Sequence, residues 1–245
     1  MSKEISIKEF LSSRTNTPIV DVRSPKEYQL AHIPGAINIP LFNDAERAMV
    51  GTTYKHEGRE KAITQGLELV GPKMAEFVAE GKRILQEHQA AYITMHCWRG
   101  GMRSKSMATL FNFAGIPTLT ITGGYKVYRN AVQQSFANPL HLIVLGGKTG
   151  SAKTAILQAL QQQGEQIIDL EKLANHKGSA FGQLGEDPQP SSEYFENLLF
   201  EKIQQLDSTK RIWIEDESHL IGKVFIPETF WEQMRNAQVI YCDFP

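Results

Sequence analysis

Cys97 has the most reactive setting in this 245-residue chain. It follows an apolar run, Ala91-Tyr92-Ile93-Thr94-Met95, and stands in the segment His96-Cys97-Trp98-Arg99-Gly100-Gly101-Met102-Arg103-Ser104. That order puts a thiol at the end of a buried strand, in a loop whose backbone N–H groups converge on it. A helical pattern opens at about Arg103, so a helix N-terminus adds partial positive charge to that of Arg99 and Arg103. Such a cradle stabilises a thiolate, or an anion bound beside it. The competing reading is a buried structural cysteine. A glycine-rich, arginine-flanked loop argues for the reactive one, and makes Cys97, Arg99, Gly100, Gly101 and Arg103 the candidate catalytic group.

A second loop carries phosphate chemistry. Gly147-Lys148-Thr149-Gly150-Ser151-Ala152-Lys153-Thr154 nearly matches G-x-x-x-x-G-K-[ST], after an apolar strand and before a helical pattern. Gly147, Gly150 and Ser151 would present backbone N–H groups to a phosphate, Lys153 would neutralise it, and Thr154 could hold Mg²⁺. Ala152 stands where the pattern has its last glycine, so its Cβ is either tolerated or crowds the ligand. Ile212-Trp213-Ile214 ends in Glu215-Asp216-Glu217, which makes Asp216 the second candidate Mg²⁺ ligand; a solvated strand end explains any one of these acids equally well. His176-Lys177-Gly178-Ser179-Ala180-Phe181-Gly182 reads as a substrate grip or a plain turn. No tightly bound cofactor and no structural zinc are expected.

The elements that position these loops alternate. In the first half, strands are expected at Pro18–Val22, Ala36–Pro40, Ala91–Met95 and Thr118–Thr122, with a long helix over Leu67–His88. Shorter helices are expected near Ser104–Ala114 and, after Gly123-Gly124-Tyr125, up to Phe136. Asn138-Pro139 breaks the pattern. Strands then recur at Leu140–Leu145, Gln166–Leu170, Arg211–Asp216 and Gln238–Phe244. Helices lie between them at Ala152–Gln163, Ser192–Leu206 and after Pro227. The expected fold is α/β with two domains, residues 1–137 and 138–245, each a mainly parallel sheet flanked by helices.

Composition sets the outer limits. A hydrophobic fraction of 41% and a charged fraction of 22% suit a soluble globular protein. No apolar run is long enough to span a membrane, and Met1–Phe10 lacks the core of a signal peptide. Two cysteines far apart, Cys97 and Cys242, offer no disulfide framework and suggest a reducing compartment, hence a cytoplasmic location. Residues 1–137 hold 17 Lys+Arg against 12 Asp+Glu, whereas residues 138–245 hold 9 against 15. The acidic second half is not a typical nucleic-acid surface, while the basic first half could attract an anion.

Two families place a cysteine in such a loop. His96, Cys97, Gly100, Arg103 and Ser104 resemble the signature of cysteine-dependent phosphatases, in which an arginine clamps a phosphate. They also resemble rhodanese-like sulfurtransferases, which carry sulfur as a cysteine persulfide. The stretch Asp21-Val22-Arg23-Ser24-Pro25-Lys26-Glu27-Tyr28, followed by Ala31-His32-Ile33-Pro34-Gly35-Ala36-Ile37-Asn38, resembles the N-terminal signature of a rhodanese domain. Ala31 replaces a commoner glycine there. Asp21 and Arg23 read better as an ion pair holding the fold near the loop than as catalysts. No aspartic acid stands out as the phosphatase general acid.

The rhodanese-like half joined to a P-loop half resembles the tRNA 2-selenouridine synthase family. The residues that carry this are Cys97-Trp98-Arg99-Gly100-Gly101-Met102-Arg103-Ser104, Gly123-Gly124-Tyr125, the loop around Lys153, His176–Gly182 and Glu215-Asp216-Glu217-Ser218. Family members usually continue into a helical, more basic C-terminal part. The resemblance implies a tRNA partner modified at the anticodon wobble uridine. Geranyl diphosphate would first S-geranylate 2-thiouridine, and selenophosphate would then supply selenium. Cys97 would relay or stabilise that selenium, as a perselenide in one version, within a cradle of Arg99, Gly100, Gly101 and Arg103; Lys153 and Thr154 would hold a diphosphate or the selenophosphate. The alternatives are a cysteine-dependent phosphatase and a non-catalytic nucleotide-binding regulatory protein. The oligomeric state is not fixed by the sequence.

Overall fold

The strand Ile93–His96, β4 in chain order, is buried along its whole length, as befits the middle of a parallel sheet covered on both faces. It belongs to the first of two compact units, Met1–Asn130 and Ala131–Pro245. The computed structural model describes residues 3–13, 17–148, 151–177, 182–183 and 185–243.

In the first unit β1 (Lys3–Ile5), β2 (Ile19–Asp21), β3 (Ala36–Asn38), β4 and β5 (Thr118–Ile121) form one sheet in the order β1-β5-β4-β2-β3. Every pairing is parallel. The register sets Asp21 beside His96 on one side and Asn38 on the other, so the polar ends of three strands meet at the carboxyl edge of the sheet. Helices α1 (Ile7–Ser12), α2 (Pro25–Leu30), α3 (Asp44–His56), α4 (Arg59–Val70), α5 (Met74–Glu87), α6 (Met102–Phe113) and α7 (Gly124–Ser135) complete the chain order. Val20, Val22, Ile93, Met95, Met107 and Phe111 form the buried core that holds β4 in place, and Cys97 packs into it.

The long helix expected over Leu67–His88 is two helices. α4 ends at Val70, a 3₁₀ turn spans Gly71–Lys73, and α5 starts at Met74. Pro72 explains the break, since it lacks the N–H that the helical ladder needs at that position. Helices α1, α2, α3 and most of α4 also lie where no helix was expected.

In the second unit β6 (Leu142–Gly147), β7 (Gln166–Ile168), β8 (Ile212–Glu215) and β11 (Gln238–Cys242) form a parallel sheet ordered β11-β6-β8-β7. A small antiparallel hairpin, β9 (Leu220–Ile221) with β10 (Val224–Phe225), was not anticipated. Helices α8 (Lys153–Gln162), α9 (Leu170–Leu173), α10 (Ser192–Gln204) and α11 (Glu228–Asn236) lie between the strands in sequence. Leu145, Leu157 and Ile167 anchor α8 on the sheet. The fold is thus α/β throughout, with parallel sheets and flanking helices, and β6 and β8 sit side by side with their loops at one edge.

Candidate active site and phosphate loop

Cys97 immediately follows β4, and only 3% of its surface is exposed. The Gly101 N–H and the Ser104 hydroxyl each donate to its Sγ at 3.3 Å. Both donors sit at the start of α6, so the helix N-terminus is aimed at the sulfur as the sequence implied. Ser104 is also 3.2 Å from the Gly101 carbonyl, so its single proton has two acceptors to choose between. The loop is held from below by the turn after β5: the Tyr125 N–H donates to the Cys97 carbonyl and the Lys126 N–H to that of Trp98, both at 2.9 Å. Gly100 (φ +61°) and Gly124 (φ +60°) make that contact possible. A Cβ on Gly124 would lie 2.3 Å from the Cys97 carbonyl oxygen and 2.4 Å from the Gly100 nitrogen.

The two arginines of the loop part company. Arg99 is exposed. Arg103 extends its guanidinium to Glu27 on α2, with hydrogen bonds of 2.5 and 3.2 Å to the two carboxylate oxygens. Glu27 is itself fixed by the Ser24 N–H at 3.1 Å, the reach-back of a capping box at the start of α2. Burial alone would raise the Glu27 pKa; the Arg103 pair outweighs it and holds the carboxyl below its usual range.

Beneath the loop lies a buried ion pair. Asp21 accepts from Arg23 Nε at 2.9 Å and from the terminal nitrogen at 2.6 Å, and Arg23 also donates to the Ala31 carbonyl at 2.8 Å. The guanidinium lies 3.9 Å from the centre of the Tyr125 ring. Burial opposes ionisation of Asp21, but the facing His96 and Arg23 outweigh it and keep the carboxyl ionised below its ordinary range. His96, fully buried, is pushed down by that burial; among the described residues neither of its ring nitrogens has a hydrogen-bond partner. Asp21 and Arg23 therefore brace the strand ends, with no path to solvent.

An apolar cavity of about 370 Å³ opens beside this loop, within the first unit. Phe42, Val50, Ile63, Val70 and Met102 supply apolar walls, and Arg47, Arg59 and Arg103 also line it. The volume falls in the usual range for small-molecule sites, about 300–1,000 Å³. Sequence reading missed this feature because α3 and α4 build it.

In the second unit Lys153 opens α8, and its ammonium donates to the Gly147 carbonyl at 3.0 Å and that of Lys148 at 3.4 Å, folded over the loop. Ala152 takes the left-handed conformation (φ +56°, ψ +26°). The position thus demands what glycine adopts freely, at roughly 1–2 kcal/mol for a residue with a Cβ. Gly147 (φ +154°) is pressed against Ser151, since a Cβ there would lie 2.5 Å from the Ser151 hydroxyl. Thr149 and Gly150 lie outside the described residues, as do Gly178, Ser179, Ala180 and Phe181.

Asp216 accepts from Arg235. Thr154 instead faces Glu171, 3.5 Å away, and the Glu171 N–H donates to Glu215 at 3.2 Å. Burial, reinforced by Asp169, pushes Glu215 up to about 8, and burial with Glu171 pushes Glu217 up to about 7. Among the described residues no three His, Cys, Asp or Glu side chains are disposed to hold a metal. None of the described helices is long and apolar enough to cross a membrane.

Comparison with known proteins places names on both units. Residues 6–131 match the model of the rhodanese-like domain. Residues 140–245 match that of the tRNA 2-selenouridine synthase AAA domain. The tRNA 2-selenouridine synthase of Nitrosomonas europaea is 38% identical over 237 residues, covering 94% of this chain and 60% of the relative. That of Bdellovibrio bacteriovorus is 41% identical over 238 residues, covering 94% and 62%. That of Shewanella denitrificans is 38% identical over 240 residues, covering 96% and 63%. The chain therefore spans about 60% of the length of the curated relatives it matches.

Proposed function

Because the chain belongs to the tRNA 2-selenouridine synthase family, we propose that it acts in converting 2-thiouridine at the tRNA wobble position to 2-selenouridine. The observation that carries this reading is the Cys97 sulfur, held by the Gly101 N–H and Ser104 hydroxyl at the start of a helix. Those donors suit a sulfur or selenium anion that must be formed and released.

The reaction runs in two steps. In the first, the thiouridine sulfur forms a bond to C1 of the geranyl group as the C1–O bond breaks, and diphosphate departs with the electron pair. In the second, selenium from selenophosphate replaces the geranylthio group at C2. Water takes the phosphoryl group, so geranylthiol and phosphate are released and no net oxidation occurs. Alkylation turns a poor leaving group into a good one, which is why the order matters. Cys97 serves the selenium step.

The apolar cavity between α3, α4 and α6 suits the hydrocarbon chain, and Arg47 and Arg59 suit the diphosphate or the RNA backbone. Filling it with Val50→Trp is expected to cut S-geranylation by about tenfold or more, with an unchanged melting temperature. Normal geranylation in a folded variant would remove the cavity from the reaction.

The Lys153 loop suits a phosphate-bearing donor. Lys153→Ala is expected to weaken pyrophosphate binding by roughly ten- to a hundredfold, the loss of about 1.5–3 kcal/mol for a charged hydrogen-bonding group. Titration calorimetry reads this directly, and equal affinities would show that the loop is not the site.

The whole reading is tested by incubating 2-thiouridine tRNA with geranyl diphosphate and selenophosphate, followed by mass spectrometry of the nucleosides. Geranylated and selenated products report the two steps separately. Absence of both, from a folded chain, would overturn it for this sequence.

A further inference from the structure

We propose that Glu27 is a positioning residue that sets the specificity of the Cys97 loop, by withholding Arg103 from oxyanions. This rests on the functional reading only in taking Cys97 as the reactive thiol. Five residues separate Cys97 from Arg103, a spacing that brings a guanidinium to the start of the helix aimed at the thiol. A guanidinium fork is the strongest side-chain ligand for a tetrahedral oxyanion, because two parallel N–H groups meet two oxygens. In this protein that fork is already filled. Both of its hydrogen bonds go to Glu27, at 2.5 and 3.2 Å.

Glu27 cannot swing away freely. Its carboxylate also accepts the Ser24 N–H at 3.1 Å, which ties it to the first turn of α2, and Arg47 lies 3.8 Å from the same oxygen. The pair is only partly exposed, 16% for Arg103 and 26% for Glu27, so water screens it less than a surface pair. An oxyanion entering the loop must therefore compete with a preorganised carboxylate for the same donors. A single sulfur or selenium atom on Cys97 meets no such competition, since its donors are the Gly101 N–H and the Ser104 hydroxyl. Arg99 is exposed and can attract charged substrates without supplying a fixed fork. Glu27 thus biases a loop that has the parts of a phosphate site towards chalcogen cargo.

The test uses inorganic phosphate as the probe and follows Cys97 alkylation by iodoacetamide, read by mass spectrometry of the Cys97 peptide. Glu27→Gln keeps the reach-back to Ser24, which glutamine also makes, and removes the charge that holds Arg103. Phosphate is expected to protect Cys97 at concentrations at least tenfold lower in Glu27→Gln than in the unaltered chain. Adding Arg103→Met to Glu27→Gln should erase that gain. In the unaltered chain Arg103→Met alone should leave the phosphate dependence where it was. A merely structural role for Glu27 predicts no tighter anion binding in any variant. Equal or weaker protection in Glu27→Gln, with Cys97 still reactive, overturns the assignment. If that variant fails to fold, loss of phosphate protection in Arg103→Met alone overturns it instead. A Cys97 that alkylates in no variant would overturn the reading of the thiol itself, a separate outcome.

Discussion

Replacing Cys97 by serine is expected to reduce selenium incorporation by roughly three orders of magnitude or more, the scale seen when a reacting side chain is removed from its site. The fold should persist. Serine is smaller than cysteine and still offers an acceptor to the Gly101 N–H and the Ser104 hydroxyl, which donate to Sγ in the unaltered chain. In the proposed reaction the geranyl step needs no thiol at this position. Geranylated tRNA should therefore accumulate in the variant rather than disappear. Nucleoside mass spectrometry distinguishes the outcomes: a serine variant that forms 2-selenouridine at the normal rate would remove Cys97 from the reaction. One that loses both products would place the thiol in the geranyl step as well.

Arg23→Met should destabilise the first unit by about 3–5 kcal/mol, because it leaves the Asp21 carboxylate buried without its partner. Arg23 is 1% exposed and Asp21 fully buried, so water cannot replace the lost hydrogen bonds. The substitution also removes the cation above the Tyr125 ring and the donor to the Ala31 carbonyl. Hydrogen exchange at the amides of β2 and β4 would report the loss. The same pair makes a pH prediction for the unaltered chain. The Asp21 carboxyl is held below its ordinary value of 3.8. Its contribution is therefore present in full above that value and fades as the pH falls through the lower folded-state value. Arg23→Met removes one of the two groups that hold this carboxyl down, so the acid dependence should weaken, and an unchanged profile would assign acid lability to other carboxylates.

The parts of the fold that were legible in the sequence are those where one short stretch contains both the signal and its consequence. The apolar run before Cys97 read as a strand because it is buried on both faces, and the glycines after it read as a loop because left-handed backbone was needed at Gly100. The P-loop was legible for the same reason, down to the doubt over Ala152, whose left-handed conformation is the one glycine would take without cost. Contacts that join distant stretches were not legible. Glu27 meets Arg103 across 76 residues, and only the adjacency of β2 and β4 brings them together. Helix α3 escaped because it has no buried residue. Val50 and Tyr54 line a cavity and Met49 is exposed, so the stripe that normally betrays a helix is sparse. Its start is marked nonetheless by Asn43 and Glu46, which form a capping box. The link from Thr154 through Glu171 to Glu215 was not legible either, because it joins three separate stretches of chain.

The interlock of Gly100 with Gly124 has a consequence for anyone wishing to move this chemistry elsewhere. The loop after β4 and the turn after β5 touch backbone to backbone, with no room for a methyl group between them. The loop cannot hold its shape without that turn, and the turn has no reason for its conformation without the loop. A transplant of the nine residues His96–Ser104 into another parallel sheet would carry the thiol but not its rigidity. The smallest portable unit runs from β4 through the first turn of α7, helix α6 included. Any engineered host must accept both glycines or neither.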